Sequence, residues 1–282
     1  MMEGMIDPLL DLTAELRARL QPLAGDARPQ LLGCVEEMCL FRDGSGQHHR
    51  TAAQVAPPAG PWDLSPLIDH TLLKADATGV QVEVLCAEAR KHGFASVCVN
   101  PLWVPLAASL LKGSAVRTCT VVGFPLGASA LRAKAREAEQ ALHDGAQEVD
   151  MVLAIGAAKG GDWETVRRDL EGLRAAVPPP AVLKVILETC LLSEDEKTRA
   201  CALALEAGLD FVKTSTGFST GGATEADVAL MRRTVGTGMG VKASGGIRTY
   251  EGALRMVLAG ATRLGLSASV AVVQGEAGSG SY

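Results

Sequence analysis

The chain has 282 residues, 48% of them hydrophobic, with a formal net charge of −5 at pH 7. That length and apolar content support one large α/β domain with a substantial core rather than a disordered chain. No dense Lys/Arg block and no run of about 18 apolar residues occurs, which argues against nucleic-acid and membrane partners and leaves small molecules as the expected ones.

Residues 1–62 differ in character from the remainder of the chain. "IDPLLDLTAELRARLQPL" (6–23) has the pattern of an amphipathic helix, and "RDGSGQHHRTAAQVAPPAGPW" (42–62) is polar and rich in Gly, Ala and Pro, the composition of a linker. The start mixes acids into its apolar residues and lacks the basic n-region of a signal peptide. The seven cysteines are scattered with no Cys-x-x-Cys pair, and the five histidines form no HExxH. A disulfide framework, a structural metal site and a cofactor are therefore not expected, and the chain reads as cytoplasmic.

From residue 66 a repeated unit takes over: short apolar strand, polar loop, capped helix, glycine stop. The strands are "PLIDHT" (66–71), "FASVCVN" (94–100), "VRTCTVVGF" (116–124), "EVDMVLAI" (148–155), "VLKVILET" (182–189), "DFVKTS" (210–215), "GVKASG" (240–245) and "TRLGLS" (262–267). Thr78 with Gln81 and Ser193 with Glu196 have capping-box spacing, and Asp162 and Thr249 are plausible N-caps. "KHGFAS", "HDGAQE", "EAGLDF" and "LAGATR" each place a glycine where a helix must stop. Eight strands alternating with helices predict a parallel sheet closed into a (β/α)₈ TIM barrel carrying an N-terminal extension, with bounds 1–62 for the extension, 63–275 for the barrel and 276–282 for a flexible tail. An open doubly wound sheet is the competing architecture, disfavoured because no GxGxxG comes after the first strand.

Barrels of this kind react at the C-terminal ends of their strands. Polar residues at those ends are Asp69, Cys98, Asp150, Lys184, Glu188, Lys213 and Lys242. Lys213 and Lys242 lie on consecutive strands, the sixth and seventh. Two ammonium groups facing each other across about one strand spacing favour the neutral form of one amine, the condition for a lysine nucleophile and a Schiff base; the bland alternative is two lysines reaching to solvent. Asp150, a charge inside an apolar strand, suits either a proton relay or a counter-ion to a buried lysine. Asp69 is read as a substrate contact or as the partner of Lys184 in a structural ion pair. Cys98, with no histidine close in sequence, reads as a packed thiol.

"STGFSTGG", "ASGGIR" and "GLSAS" supply glycine-rich turns at the last three strand ends, where barrels often bind phosphate through backbone N–H groups. Thr216 adds a hydroxyl at the same end.

The motifs "LIDHTLLKADAT", "SVCVNP", "VVGFPLG", "EVDMVLAIG", "LKVILET", "FVKTSTGFSTGGAT" and "VKASGGIRT" resemble, in order, those of the deoxyribose-phosphate aldolase family over roughly residues 64–275. The resemblance implies a class I, metal-independent aldolase that cleaves 2-deoxy-D-ribose 5-phosphate to acetaldehyde and D-glyceraldehyde 3-phosphate. It implies Lys213 as the Schiff-base lysine, Lys242 as its activating lysine, Asp150 as the catalytic aspartate, and Gly217, Gly245, Gly246 and Ser267 as phosphate contacts. Family members are commonly homodimers or homotetramers, and some end in a tyrosine like Tyr282. One departure is visible: the family's last strand usually ends in Gly-x-Ser-Ser, and here the chain reads Gly265-Leu266-Ser267-Ala268-Ser269, one hydroxyl short unless Ser269 compensates. Another Schiff-base barrel aldolase and a non-catalytic sugar-phosphate sensor are the rival readings.

Overall fold

The computed structural model describes residues 62–278 together with the backbone of three strands, β1 (Gln30–Val35), β2 (Met38–Arg42) and β3 (His48–Ala52). These three pair as an antiparallel sheet in the order β1-β2-β3. The segment read as linker thus contains strand β3, and its last residue, Trp62, is buried in the core with its N–H and carbonyl both bonded to the Tyr250 hydroxyl. The amphipathic stretch 6–23 and Tyr282 lie outside the described residues.

All eight expected barrel strands form: β4 (Ile68–Leu72), β5 (Ser96–Val99), β6 (Arg117–Val122), β7 (Glu148–Val152), β8 (Val182–Ile186), β9 (Phe211–Lys213), β10 (Gly240–Ser244) and β11 (Arg263–Leu266). They are parallel and close in the order β10-β11-β4-β5-β6-β7-β8-β9, with β9 returning to β10. Around them run helices α1 (Gly79–His92), α2 (Val104–Leu111), α3 (Leu131–His143), α4 (Ile155–Lys159), α5 (Trp163–Ala176), α6 (Glu194–Glu206), α7 (Glu225–Val235), α8 (Tyr250–Leu258) and α9 (Ser269–Gln274). No helix among the described residues is long and apolar enough to cross a membrane.

The local signals act where the sequence places them. Both capping boxes form, and Asp162 and Thr249 accept from Thr165 N and Gly252 N, which satisfies N–H groups a helix start leaves unpaired. The four glycine stops, Gly93, Gly145, Gly208 and Gly260, all have positive φ. Every strand is shorter than its expected run. β7 ends at Val152 and α4 begins three residues later, while β9 stops at Lys213, beyond which side chains add to the bonding: Thr214 Oγ1 donates to Ser244 O at 3.0 Å and Ser244 Oγ to Ser215 O at 2.6 Å.

The loop leaving β6, Gly123 to Gly127, is held from three sides. Glu137 Oε2 accepts Gly123 N–H at 2.8 Å, and Gly127 N–H donates to Gly123 O at 2.8 Å. Beneath it Lys134 is fully buried, its Nζ 2.7 Å from Asp169 Oδ2 and 2.9 Å from Val152 O. A Cβ on Gly127, at φ 65°, would strike the carbonyl oxygen of Leu153. Gly93, at φ 68°, has the same backbone demand and open space around it. Gly127→Ala is therefore expected to lower stability by about 2 kcal/mol more than Gly93→Ala, the steric part of the cost. Urea denaturation of the two variants measures that difference, and equal losses would disprove the close approach.

Candidate active site

The interior of this barrel is charged where most are filled with Val, Ile and Leu. Side chains alternate along a strand, so Glu148 and Asp150 of β7 both point inward, as do Asp69 of β4, Lys184 of β8, Lys213 of β9, Lys242 of β10 and Arg263 of β11. Register brings them together: Asp150 lies level with Lys184, and Lys213 level with Lys242.

Asp150 is the hub. Its Oδ1 is 2.7 Å from Lys184 Nζ, and its Oδ2 is 2.8 Å from Lys213 Nζ and 2.7 Å from Lys242 Nζ. Lys242 also contacts Asp69, and Lys184 contacts Glu148 Oε2 at 2.6 Å. Arg263 closes the network near the N-terminal end, at 2.6 Å from Asp69 Oδ1 and 3.0 Å from Glu148 Oε2. Asp69, Glu148, Asp150, Lys184 and Lys242 are wholly buried. Lys213, the last residue of β9, keeps a trace of exposure (3%) that Lys184 and Lys242 lack, and its ammonium touches a single carboxylate.

Burial by itself would disfavour every charge here. For Asp150 the ammonium groups of Lys184, Lys213 and Lys242 outweigh it and hold the carboxyl well below its usual range. Asp69 is held down by Arg263, Lys242 and Lys184 in the same way. Reciprocally, against its own desolvation, Lys242 is pushed well above the ordinary lysine value by Asp150 and Asp69, and Lys184 is raised by Asp150, Cys119 and Glu148. Lys184 and Lys242 are fixed cations.

Lys213, Lys242 and Asp150 thus converge as the sequence suggested. Asp69 does not reach the mouth: it is enclosed below it, bonded to Ser96 Oγ at 2.7 Å as well as to Lys242 and Arg263, so the reading as a substrate contact gives way to a structural one. Its expected partner Lys184 is 3.9 Å away and pairs more closely with Asp150 and Glu148. Thr216 is also committed elsewhere, because its hydroxyl donates to the buried Glu188 carboxylate, which accepts Thr216 N–H at 3.3 Å as well. Glu188 itself adopts φ 58°, a left-handed conformation that an L side chain rarely takes. Cys98 is fully buried beside Cys119 in a small apolar cluster with Leu73 and Val121.

Glu148 and Arg263 escape a reading that weighs only strand ends, since each is the first residue of its strand. The signal that finds Glu148 is its spacing of two from Asp150, which places both carboxylates on one face.

Above the charges, Gly217, Gly245 and Gly246 have φ of 88°, 86° and 79°, and Ser267 is half-buried in the turn between β11 and α9. Phe124, after β6, and Phe218, after β9 and next to Gly217, meet edge to face at 5.3 Å across the ends of β7 and β8.

Residues 65–275, the whole barrel, match the DeoC/LacD family aldolase. The deoxyribose-phosphate aldolase of Geobacillus sp. is 56% identical over 220 residues, covering 78% of this chain and 99% of its own, and that of Brevibacillus brevis is 58% identical over 219 residues with the same coverage. The tetrameric deoxyribose phosphate aldolase of Aeropyrum pernix superposes with a TM-score of 0.69 at 36% identity, over 74% of this chain and 89% of its own.

The depressed carboxyls give a pH signature. Their folded-state values lie below the unfolded value of about 3.9, so their contribution to stability is complete above about pH 4 and is lost as pH falls below it. Asp150→Asn, which removes the charge facing Lys184, Lys213 and Lys242 and leaves Lys213 without a carboxylate partner, is expected to cost at least about 3 kcal/mol at pH 7. That deficit shrinks toward pH 3; chemical denaturation at the two pH values reads it, and a constant deficit would contradict the assignment.

Proposed function

The chain belongs to the DeoC/LacD aldolase family, and from that membership we propose that it is a class I aldolase that reversibly cleaves 2-deoxy-D-ribose 5-phosphate to acetaldehyde and D-glyceraldehyde 3-phosphate through a Schiff base on Lys213. One observation carries the choice of amine: within the buried charge network, Lys213 is the lysine at the barrel mouth, with its Nζ on Asp150 Oδ2 alone. Charge balance supports it. With Lys213 as a neutral amine, three carboxylates (Asp69, Glu148, Asp150) face three cations (Lys184, Lys242, Arg263), so the nucleophilic form leaves no buried charge uncompensated.

The Lys213 amine adds to the C1 aldehyde of the open-chain sugar and loses water, giving an iminium that draws electrons from C2. Removal of the C3 hydroxyl proton breaks the C2–C3 bond and releases glyceraldehyde 3-phosphate. The enamine left on Lys213 is protonated at carbon and hydrolysed to acetaldehyde. Asp150, in contact with Lys213 Nζ, and Lys242, on the same Asp150 oxygen, are the charged groups within reach to shuttle these protons, with water completing the path. The left-handed glycines Gly217, Gly245 and Gly246, with Ser267, let backbone amides approach the phosphate without side chains in the way. The names of the Geobacillus and Brevibacillus relatives support the substrate, and the tetrameric A. pernix relative supports a homo-oligomer.

Borohydride reduction in the presence of acetaldehyde, followed by peptide mapping, is expected to place a two-carbon adduct on Lys213. Lys213→Ala abolishes the adduct, and Lys242→Met lowers kcat by roughly 10²- to 10⁴-fold, the usual range for a lost proton-transfer group. No adduct on folded protein would remove the Schiff-base mechanism and leave a sugar-phosphate-binding barrel.

A further inference from the structure

Strand β4 carries a titratable side chain that the mechanism above does not use. Asp69 and Thr71 face the barrel interior, so His70 faces outward into the layer between strands and helices, where it is buried. Its Nδ1 is 2.9 Å from Ser269 Oγ, on the first residue of α9, and its Nε2 is 2.8 Å from Glu88 Oε2 on α1. An edge contact with the Phe94 ring, centroids 5.2 Å apart, fixes the imidazole plane.

Donor and acceptor logic orders this chain. A carboxylate only accepts, so Nε2 carries the hydrogen toward Glu88, and in the neutral ring Nδ1 accepts from the Ser269 hydroxyl. Burial pushes the His70 pKa down and favours that neutral form, against the opposing pull of Glu88; His92, on the same helix, is the other titratable group facing it. Ser269 Oγ also lies 3.1 Å from Leu266 O. The hydroxyl has one hydrogen, which is shared between Leu266 O and His70 Nδ1, and this three-centre contact links both ends of the turn Leu266-Ser267-Ala268-Ser269 to the outer side of β4. The same commitment answers the question raised by Ala268: the Ser269 hydroxyl is buried and turned away from the mouth, so it does not replace the missing one.

We propose that Glu88, His70 and Ser269 form a positioning device that sets the turn after β11 at the height needed to receive the substrate phosphate. The inference rests on the reading of that turn as the phosphate end of an aldolase site. His70 and Ser269 touch no reacting atom; they act through the backbone of residues 266–268. The effect belongs to phosphorylated substrates and leaves chemistry at Lys213 untouched.

The test is the ratio of kcat/KM for 2-deoxyribose 5-phosphate to that for unphosphorylated 2-deoxyribose. Ser269→Ala removes one oxygen and is expected to lower the ratio roughly tenfold, the scale of one buried hydrogen bond, through KM for the phosphorylated sugar. His70→Gln reaches only the Nε2 position, keeps Glu88 and loses Ser269, and lowers the ratio equally. His70→Asn places its amide where Nδ1 lies, keeps Ser269, and holds the ratio within about twofold of wild type. Acetaldehyde trapping stays at the wild-type level in all three. An unchanged ratio in Ser269→Ala, a parallel fall on both sugars, or an equal loss in His70→Asn overturns the proposal; Ser269→Ala decides alone where a His70 variant fails to fold. Absence of turnover on either sugar in the wild type overturns the aldolase reading and this inference with it.

Discussion

One carboxylate shared by three ammonium groups is the constraint on which the rest of the barrel depends. Asp150 holds Lys184, Lys213 and Lys242 at hydrogen-bond distance, and none of the four has room to move away from the others. A single acid cannot neutralise three bases, so Asp69 and Glu148 are drawn in to cap Lys242 and Lys184, and Arg263 in turn bridges those two acids. The network is self-consistent only as a whole. Removing one of the enclosed acids, or Lys184 or Lys242, leaves an opposite charge buried, which costs more than an intact buried pair contributes. The Lys213 amine and the packing of the barrel interior are thus one structure.

The outer shell solves an ordinary problem with ordinary means. Helix starts are closed by Thr78, Asp162, Ser193 and Thr249, and the returns to the sheet pass through left-handed glycines. These devices are local, and so they were legible in the sequence: each needs only a few adjacent residues to be recognised. The eight strands were legible for the same reason, as apolar runs between turn signals. Lys213, Lys242 and Asp150 stood out because a charge inside an apolar strand is a conspicuous exception.

What the sequence concealed depends on which residues meet across the fold. Glu148 and Arg263 open their strands and look like solvent-side residues until closure of the barrel turns both inward beside Asp69. Lys134 and Asp169 sit on separate helices with the spacing of surface charges, yet α3 and α5 pack so that the pair is buried under the loop that carries Phe124. Thr216 and Asp69 were placed at the mouth by position along the strand alone; their partners, Glu188 and Arg263, lie 28 and 194 residues away in the chain. The strand His48–Ala52 was hidden by a composition of His, Arg, Thr and Ala that carries no alternating pattern.

Phe124 and Phe218 join the loops that carry them. The two loops come from opposite sides of β7 and β8 and meet ring to ring. Gly217 immediately precedes Phe218 in one of these loops, and Gly245 and Gly246 follow β10, all three at positive φ. The two loops are therefore coupled: neither ring can shift without uncovering part of the other, so a change in the loop after β6 is felt in the loop after β9 that carries Gly217.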